Sequence, residues 1–223
     1  ARRDAAAAAA RARPRGAHRA LTMHRARSPE RRRSLALLLG AGLSALVPRR
    51  SAATAAARQT QVLHPKLAPL PAVALTTMRG ESRRLDSELD NAVPLVLNFV
   101  FTTCSTSCSL QTAVLAQVQR ELGGRGRKLQ LASITIDPDN DTPEQLRRFA
   151  GSFRTGPGWQ FYTGRFDDLL QVQKHFDVYR GSKASHPPVL LMRRSARAPW
   201  LRVEGFPDAA ELVALIESLP AAG

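Results

Sequence analysis

The most informative segment of this chain is Leu95-Val-Leu-Asn-Phe-Val-Phe-Thr-Thr-Cys-Ser-Thr-Ser-Cys-Ser-Leu-Gln-Thr112. An unbroken apolar run leads into a short polar loop that carries both cysteines of the chain. Apolar residues then recur every three or four positions. The run predicts a strand covered on both faces, and the recurrence predicts a helix. We therefore expect Cys104 and Cys108 at a helix start, where unpaired N–H groups and the helix dipole favour the thiolate.

The spacing of the two cysteines limits what they can do. Cysteines four positions apart on a first helical turn share one face, so they can hold a metal together or be oxidised together. Two cysteines are too few for a disulfide scaffold or for a four-cysteine zinc site. A disulfide across one turn closes a very small loop and adds little stability, and the neighbouring Ser and Thr residues indicate thiols outside a sealed core. A functional pair is expected, and both metal binding and thiol chemistry remain open.

The net charge of +15 is concentrated at one end of the chain. Residues 1–57 contain 13 Arg and 2 acidic residues and contribute +11, which leaves +4 for the rest. That remainder has no basic stripe with interleaved aromatic residues. We therefore expect no binding to nucleic acid.

Residues 1–57 are predicted to be a disordered Arg/Ala-rich tail followed by an export signal, with Ala1 or Met23 as the true start. After Met23, basic residues precede the apolar run 35–47, and Ala55-Ala-Ala57 supplies a small-residue cleavage site. The run has 13 residues, fewer than the ~20 that span a bilayer. It is either cleaved off or kept as a membrane tether. In both cases the folded part is expected outside the cytoplasm, in a bacterial periplasm.

The rest of the chain predicts an α/β order behind a linker at 58–71. Beginning at residue 72, a hairpin at 73–85 and a connector at 87–91 precede the cysteine-bearing strand. Asp141 or Thr142 is expected to cap the second helix, and the aspartates at 137–141 fit helix capping better than a calcium loop. This order is typical of a thioredoxin-like sandwich over 72–223, with a central mixed sheet, flanking helices and an N-terminal β-hairpin. Further strands are predicted at 93–101, 128–136, 159–162, 189–192 and 200–203, and helices after Cys108 and at 143–153, 166–176 and 207–219.

Three motifs in the sequence resemble those of a known protein family. Thr102-Thr-Cys-Ser-Thr-Ser-Cys108 follows the apolar strand, Thr135-Ile-Asp-Pro-Asp-Asn-Asp-Thr-Pro-Glu144 closes the next one, and His186 stands alone before a late strand. Over residues 70–219 the chain resembles the Sco/SenC family of copper chaperones. The resemblance implies one copper ion, Cu(I) or Cu(II), held by Cys104, Cys108 and His186. Soft thiolates with an imidazole suit copper, Cu(I) especially.

The resemblance also implies a place of action and partners. The family is associated with building the binuclear copper centre of cytochrome c oxidase, so the resemblance implies that the chain delivers copper to that centre or maintains its thiols. The implied partners are a copper-accepting oxidase subunit and a thiol reductant. A metallochaperone rather than an enzyme is implied. The strand after His186 is expected to run parallel to the cysteine-bearing strand, so that strand ends converge on one crevice. Asp137 is expected to shape its loop.

The chain departs from the family pattern in ways that keep alternatives open. Ser105 and Ser109 stand where the family usually has proline, and His186 is followed by two prolines. One alternative is a thiol–disulfide oxidoreductase, with Cys104 as the attacking thiolate and Cys108 as the resolving thiol. The three residues between the cysteines, instead of the usual two, argue against it. A second alternative is a non-catalytic adaptor of the cell envelope.

Overall fold

The computed structural model describes residues 60–90 and 92–221, and its central feature is one eight-stranded sheet. The predicted tail and export signal lie outside the described residues. The strands are β1 Gln61–Leu63, β2 Ala74–Thr77, β3 Ser82–Arg84, β4 Leu95–Val100, β5 Gln130–Thr135, β6 Trp159–Thr163, β7 Val189–Arg193 and β8 Leu201–Glu204. The helices are α1 Leu85–Leu89, α2 Ser107–Gly124, α3 Pro143–Ser152, α4 Phe166–His175 and α5 Ala209–Glu217.

The strand order across the sheet is β1-β8-β7-β4-β5-β6-β2-β3. Strands β4, β5 and β6 are parallel, while β7 pairs antiparallel with β4 on the other side. All six residues of β4 are buried, as the unbroken apolar run predicted. The sheet is therefore mixed, and the cysteine-bearing strand lies near its middle.

Two apolar layers cover the sheet, one on each face. Alternate residues of β4 separate them: Val96 and Val100 pack with α2 and α5, whereas Leu97 and Phe99 pack with α1 and α4. Helix α2 lies against α5. This arrangement confirms the predicted sandwich, and Trp159, Phe161 and Phe176 are core residues as expected.

Two short elements were not predicted. The sequence predicts the end of a strand and a connector at residues 85–89, but these residues form helix α1. Leu85 and Leu89, four positions apart, lie on the same face of this helix and are both buried. Strand β1 lies within the stretch predicted as a linker and pairs with β8 at the sheet edge. Both elements are too short for their periodicity to be detected in the sequence.

The direction of β7 corrects one prediction. It runs antiparallel to β4, with Asn98 opposite Leu190, and not parallel to it. The start of β7 therefore lies at the same end of the sheet as the finish of β4. A parallel β7 would have put His186 at the opposite end of the sheet from the cysteines. The predicted strand direction was therefore wrong, although His186 does lie at the same end of the sheet as the cysteines.

Among the described residues no helix has the length and apolar character needed to cross a membrane.

Candidate functional site

The first cysteine lies before the helix and not on it. Strand β4 ends at Val100, α2 begins at Ser107, and Cys104 occupies the loop between them, which corrects the prediction of two cysteines on one helical turn. The backbone N–H of Cys108 donates to the Cys104 sulfur at 3.4 Å, while the N-cap residue Thr106 makes no side-chain cap. The sulfur thus takes the place of a capping oxygen at the positive end of the helix.

The two thiols have opposite acidities. Burial raises the pKa of Cys104, but hydrogen bonds from the Cys108 N–H, the Ser107 hydroxyl and the Cys108 thiol outweigh burial and lower that pKa to about 6. Burial raises the pKa of Cys108 to about 12, and the neighbouring Cys104 adds to this. At neutral pH the pair therefore holds one thiolate and one thiol.

Both cysteines are free thiols just below the surface. Cys104 is 7% exposed and Cys108 is 3% exposed. The prediction from the neighbouring Ser and Thr residues, that the thiols lie outside the core, was therefore wrong. Those neighbours bind the backbone instead: the Ser109 hydroxyl donates to the Cys104 carbonyl at 2.9 Å, and Thr112 donates to the Cys108 carbonyl at 2.7 Å. The serine in place of the family proline thus fastens the loop by a hydrogen bond.

Asp141 anchors the start of the cysteine loop, a role that the sequence did not reveal. Its carboxylate is fully buried and accepts hydrogen bonds from the Thr102 N–H at 3.1 Å and from the hydroxyls of Thr102 and Thr135. The helix cap is Thr142, whose hydroxyl accepts from the Gln145 N–H. Only the fold shows which of the two residues caps α3, because either could do so in the sequence.

A buried polar chain fastens α2 to the sheet beneath the thiols. Gln111 on α2 accepts from the Asn98 amide at 3.3 Å, and Asn98 in turn accepts from the Ser133 hydroxyl at 2.6 Å. The Trp159 indole N–H donates to the same hydroxyl at 2.9 Å. Asn98, a polar residue inside an apolar run, was the one sequence signal for this network. The network fixes the helix that carries Cys108.

His186 lies at the same end of the sheet, just after a 3₁₀ turn at Lys183–Ser185. Its ring packs edge-on against Phe99, with 6.2 Å between ring centroids. The Nδ1 atom is buried and has no hydrogen-bond partner among the described residues. Burial lowers the pKa of His186 to about 4, with backbone contacts to Phe99 and Val178 opposing the shift. The imidazole is therefore neutral at physiological pH, which is the form that binds metals.

The structure brings the two cysteines together but does not gather His186 with them. Within residues 60–90 and 92–221, no group of three or more His, Cys, Asp or Glu side chains is close enough to hold a metal ion. Phe99 faces the α4 side of the sheet, and His186 packs on that side. The predicted three-ligand set stays a prediction, and a shift of the histidine segment would be needed to complete it.

Asp137 shapes its loop, as the sequence suggested, and it also has a partner that the sequence did not reveal. Its carboxylate accepts from the Asn140 amide at 3.0 Å, and its backbone N–H donates to the Thr135 hydroxyl at 2.9 Å. The ammonium of Lys183, three residues before His186, lies 2.6 Å from the second carboxylate oxygen. Since 46 positions separate the two residues, no local pattern could predict this ion pair.

The mixed sheet between helical layers, with two free thiols after a central strand, defines a thioredoxin-like protein. A model of one family, SCO1/SenC, matches residues 74–196, more than half of the chain. The chain therefore belongs to the SCO1/SenC family.

Three relatives illustrate the similarity. The SCO1 protein homolog of Bacillus subtilis (strain 168) is 35% identical over 68 residues, which cover 30% of this chain and 35% of that relative, so the match spans about a third of its length. BsSco, a member of the Sco family of cytochrome c oxidase assembly proteins in which a disulfide switch was identified, has a solved structure with a TM-score of 0.58 and 21% identity. That alignment covers 69% of this chain and 94% of BsSco. Copper-bound yeast Sco1 has a TM-score of 0.58 and 22% identity, covering 71% and 92%. The two structural matches support the fold.

Proposed function

We propose that this protein binds one copper ion as cargo through Cys104 and Cys108 and passes it to a copper-accepting subunit of cytochrome c oxidase. The observation that carries the proposal is the pair of free thiols, one acidic and one not, in a chain of the SCO1/SenC family. Thiolate sulfur is the ligand that Cu(I) prefers. Copper bound to yeast Sco1 and the assembly role of the BsSco family support the same choice.

His186 fits a third ligand position by its chemistry. It is neutral, and its buried Nδ1 has no partner among the described residues, so a metal could use that atom without displacing a hydrogen bond. Binding by all three residues requires the histidine segment to approach the thiols. Binding also requires Cys108 to lose its proton, and with its pKa near 12 the uptake of copper should release protons and weaken in acid.

Export is part of the proposal and rests on the sequence. The basic, apolar and small-residue segments between Met23 and Ala57 have the order of an export signal. We place the folded part in a bacterial periplasm, either free after cleavage or tethered through 35–47. A thiol reductant there would keep both cysteines reduced.

The test is retention of copper by the full chain. Reduced protein is loaded anaerobically with Cu(I), desalted, and analysed for metal and protein. We expect one copper per wild-type chain and none in the Cys104→Ser/Cys108→Ser variant. Equal retention by wild type and this variant would refute copper binding by the pair. A matched Ser105→Ala variant, which changes an exposed serine of the same loop, keeps both thiols and should retain copper.

One observation favours a second function, thiol–disulfide exchange: a thiolate with a pKa of about 6 lies beside a protonated thiol. The Cys104 thiolate would attack a partner disulfide, forming a mixed disulfide and releasing one partner thiolate. Cys108, after losing its proton, would attack the Cys104 sulfur and release the second thiolate. This chain would be oxidised by two electrons and the partner reduced. Because Cys108 is hard to deprotonate, we expect the mixed disulfide to accumulate below pH 8, which mass spectrometry would detect.

A further inference from the structure

We propose that Lys183 is a positioning residue for His186. Its ion pair with Asp137 fastens the turn that carries the histidine to the loop that also fastens the cysteine loop. As far as copper is concerned, the inference rests on the proposed function, because it takes His186 as the third ligand. The part that concerns metal-free protein stands by itself.

The first observation in support is that few hydrogen bonds connect the turn at residues 179–185 to the rest of the protein. Residues 179–185 connect β7 to the end of α4, and all are exposed. Among hydrogen bonds between described residues, those of 179–185 stay within 177–186, with one exception, the bond from Lys183 to Asp137 at 2.6 Å. The local bonds are those of the Ser185 N–H to the Ser182 carbonyl, the His186 N–H to the Lys183 carbonyl, the Ala184 N–H to the Ser182 hydroxyl, and Arg180 to Asp177 and Tyr179.

The second support is the firmness of the anchor. Asp137 is 7% exposed, and its backbone and side chain are fixed by Thr135 and Asn140. The Lys183 side chain is 45% exposed, so the flexible member of the pair is the one on the turn. Its ammonium also lies 5.8 Å from the centre of the Phe101 ring, directly before Thr102. The lysine therefore reaches across to the start of the cysteine loop.

The third support is that one loop contacts both halves of the site. Residues 136–142 join β5 to α3. Asp141, at one end, accepts from the N–H and hydroxyl of Thr102, and Asp137, at the other end, accepts from Lys183. The distance between the thiols and the histidine turn is thus set through a single loop. Without the Lys183 ammonium, the turn would keep its local bonds and the packing of His186 against Phe99, and it would sample a wider range of distances from the thiols.

The inference is tested first on the metal-free full chain by amide hydrogen exchange. We expect the Ser185 and His186 amides to exchange about three- to tenfold faster in Lys183→Met and in Asp137→Asn, the range for a partly exposed ion pair. The double variant should exchange no faster than either single one, because both remove the same interaction. Lys128→Met is the matched control: this exposed lysine lies outside the turn and makes no ion pair among the described residues, and its loss should leave both amides unchanged. Unchanged exchange in Lys183→Met, or additive effects in the double variant, would overturn the proposal.

The second measurement is Cu(I) affinity by competition with a chromophoric chelator. Lys183→Met should weaken binding about three- to tenfold, Lys183→Arg should restore it, and Lys183→Met should have no further effect in a His186→Ala background. Faster exchange with unchanged Cu(I) affinity in Lys183→Met would refute the positioning role. If wild-type protein bound no copper, the proposed function would fail, and the exchange data would still decide whether Lys183 fastens the turn.

Discussion

The cysteine loop, residues 102–112, and the histidine turn, residues 179–186, lie at the same end of the sheet but are held in different ways. The loop is fastened by Asp141 at its start, by backbone bonds from Ser109 and Thr112, and by the polar chain under Gln111. Among the described residues, the turn has local hydrogen bonds, one long-range ion pair from Lys183 to Asp137, and the packing of the His186 ring against Phe99. A firmly held pair of thiols and a less firmly held histidine would suit the proposed uptake and release of a copper ion.

Among the residues that hold the cysteine loop, we expect Asp141 to have the largest effect on stability. In Asp141→Asn one buried oxygen becomes an N–H₂ group facing donors, so the N–H and hydroxyls that it accepted from lose partners. We expect the free energy of unfolding to fall by about 3 kcal/mol, measured by urea denaturation of metal-free protein. Asp139→Asn, in the same loop but exposed, is the control and should change stability by less than about 0.5 kcal/mol. Equal effects of the two changes would contradict the anchoring role.

The burial of His186 in the histidine turn predicts a dependence of stability on pH. The folded pKa of His186, about 4, is below its ordinary value of 6.5. Between these values the unfolded chain binds more protons, so the stability contributed by the neutral ring is complete above pH 6.5 and is lost as the pH falls to 4. We expect a loss of about 3 kcal/mol over this window in wild type that is absent in His186→Gln. Urea denaturation at several pH values measures it, and identical slopes in both proteins would show that His186 is not buried as described.

The smallest expected effect is a shift in the pKa of the Cys104 thiol. Alkylation of Cys104 by iodoacetamide should follow a titration with a midpoint near pH 6, while Cys108 should remain unmodified at neutral pH. Ser107→Ala removes one hydrogen bond to the sulfur and should raise the midpoint by about one pH unit. Ser105→Ala, which removes an exposed hydroxyl in the same loop, should not move it. A midpoint above pH 8 in wild type would rule out the capping role of the sulfur.

The part of the fold that follows local patterns was predictable. The apolar run 95–100, the helix after Cys108 and the helix start at Thr142-Pro143 all depend on neighbours in sequence, and each was confirmed. Helix α1 and strand β1 were missed because five and three residues are too few to show a period. The predicted direction of β7 was wrong because strand direction depends on how strands that are distant in sequence pair with each other.

The site divides in the same way. Local sequence patterns were enough to predict two thiols after a buried strand at the start of a helix, because the apolar run, the loop and the helical period all depend on neighbouring residues. The fold was needed to show that the Cys104 sulfur caps α2, that Asp141 binds Thr102, and that Lys183 pairs with Asp137. Asp141 and Thr102 are 39 positions apart, and Lys183 and Asp137 are 46 positions apart. The energy of each contact depends on its burial and on the distance between the two groups. Neither quantity exists until the sheet has brought the ends of β4, β5 and β7 together.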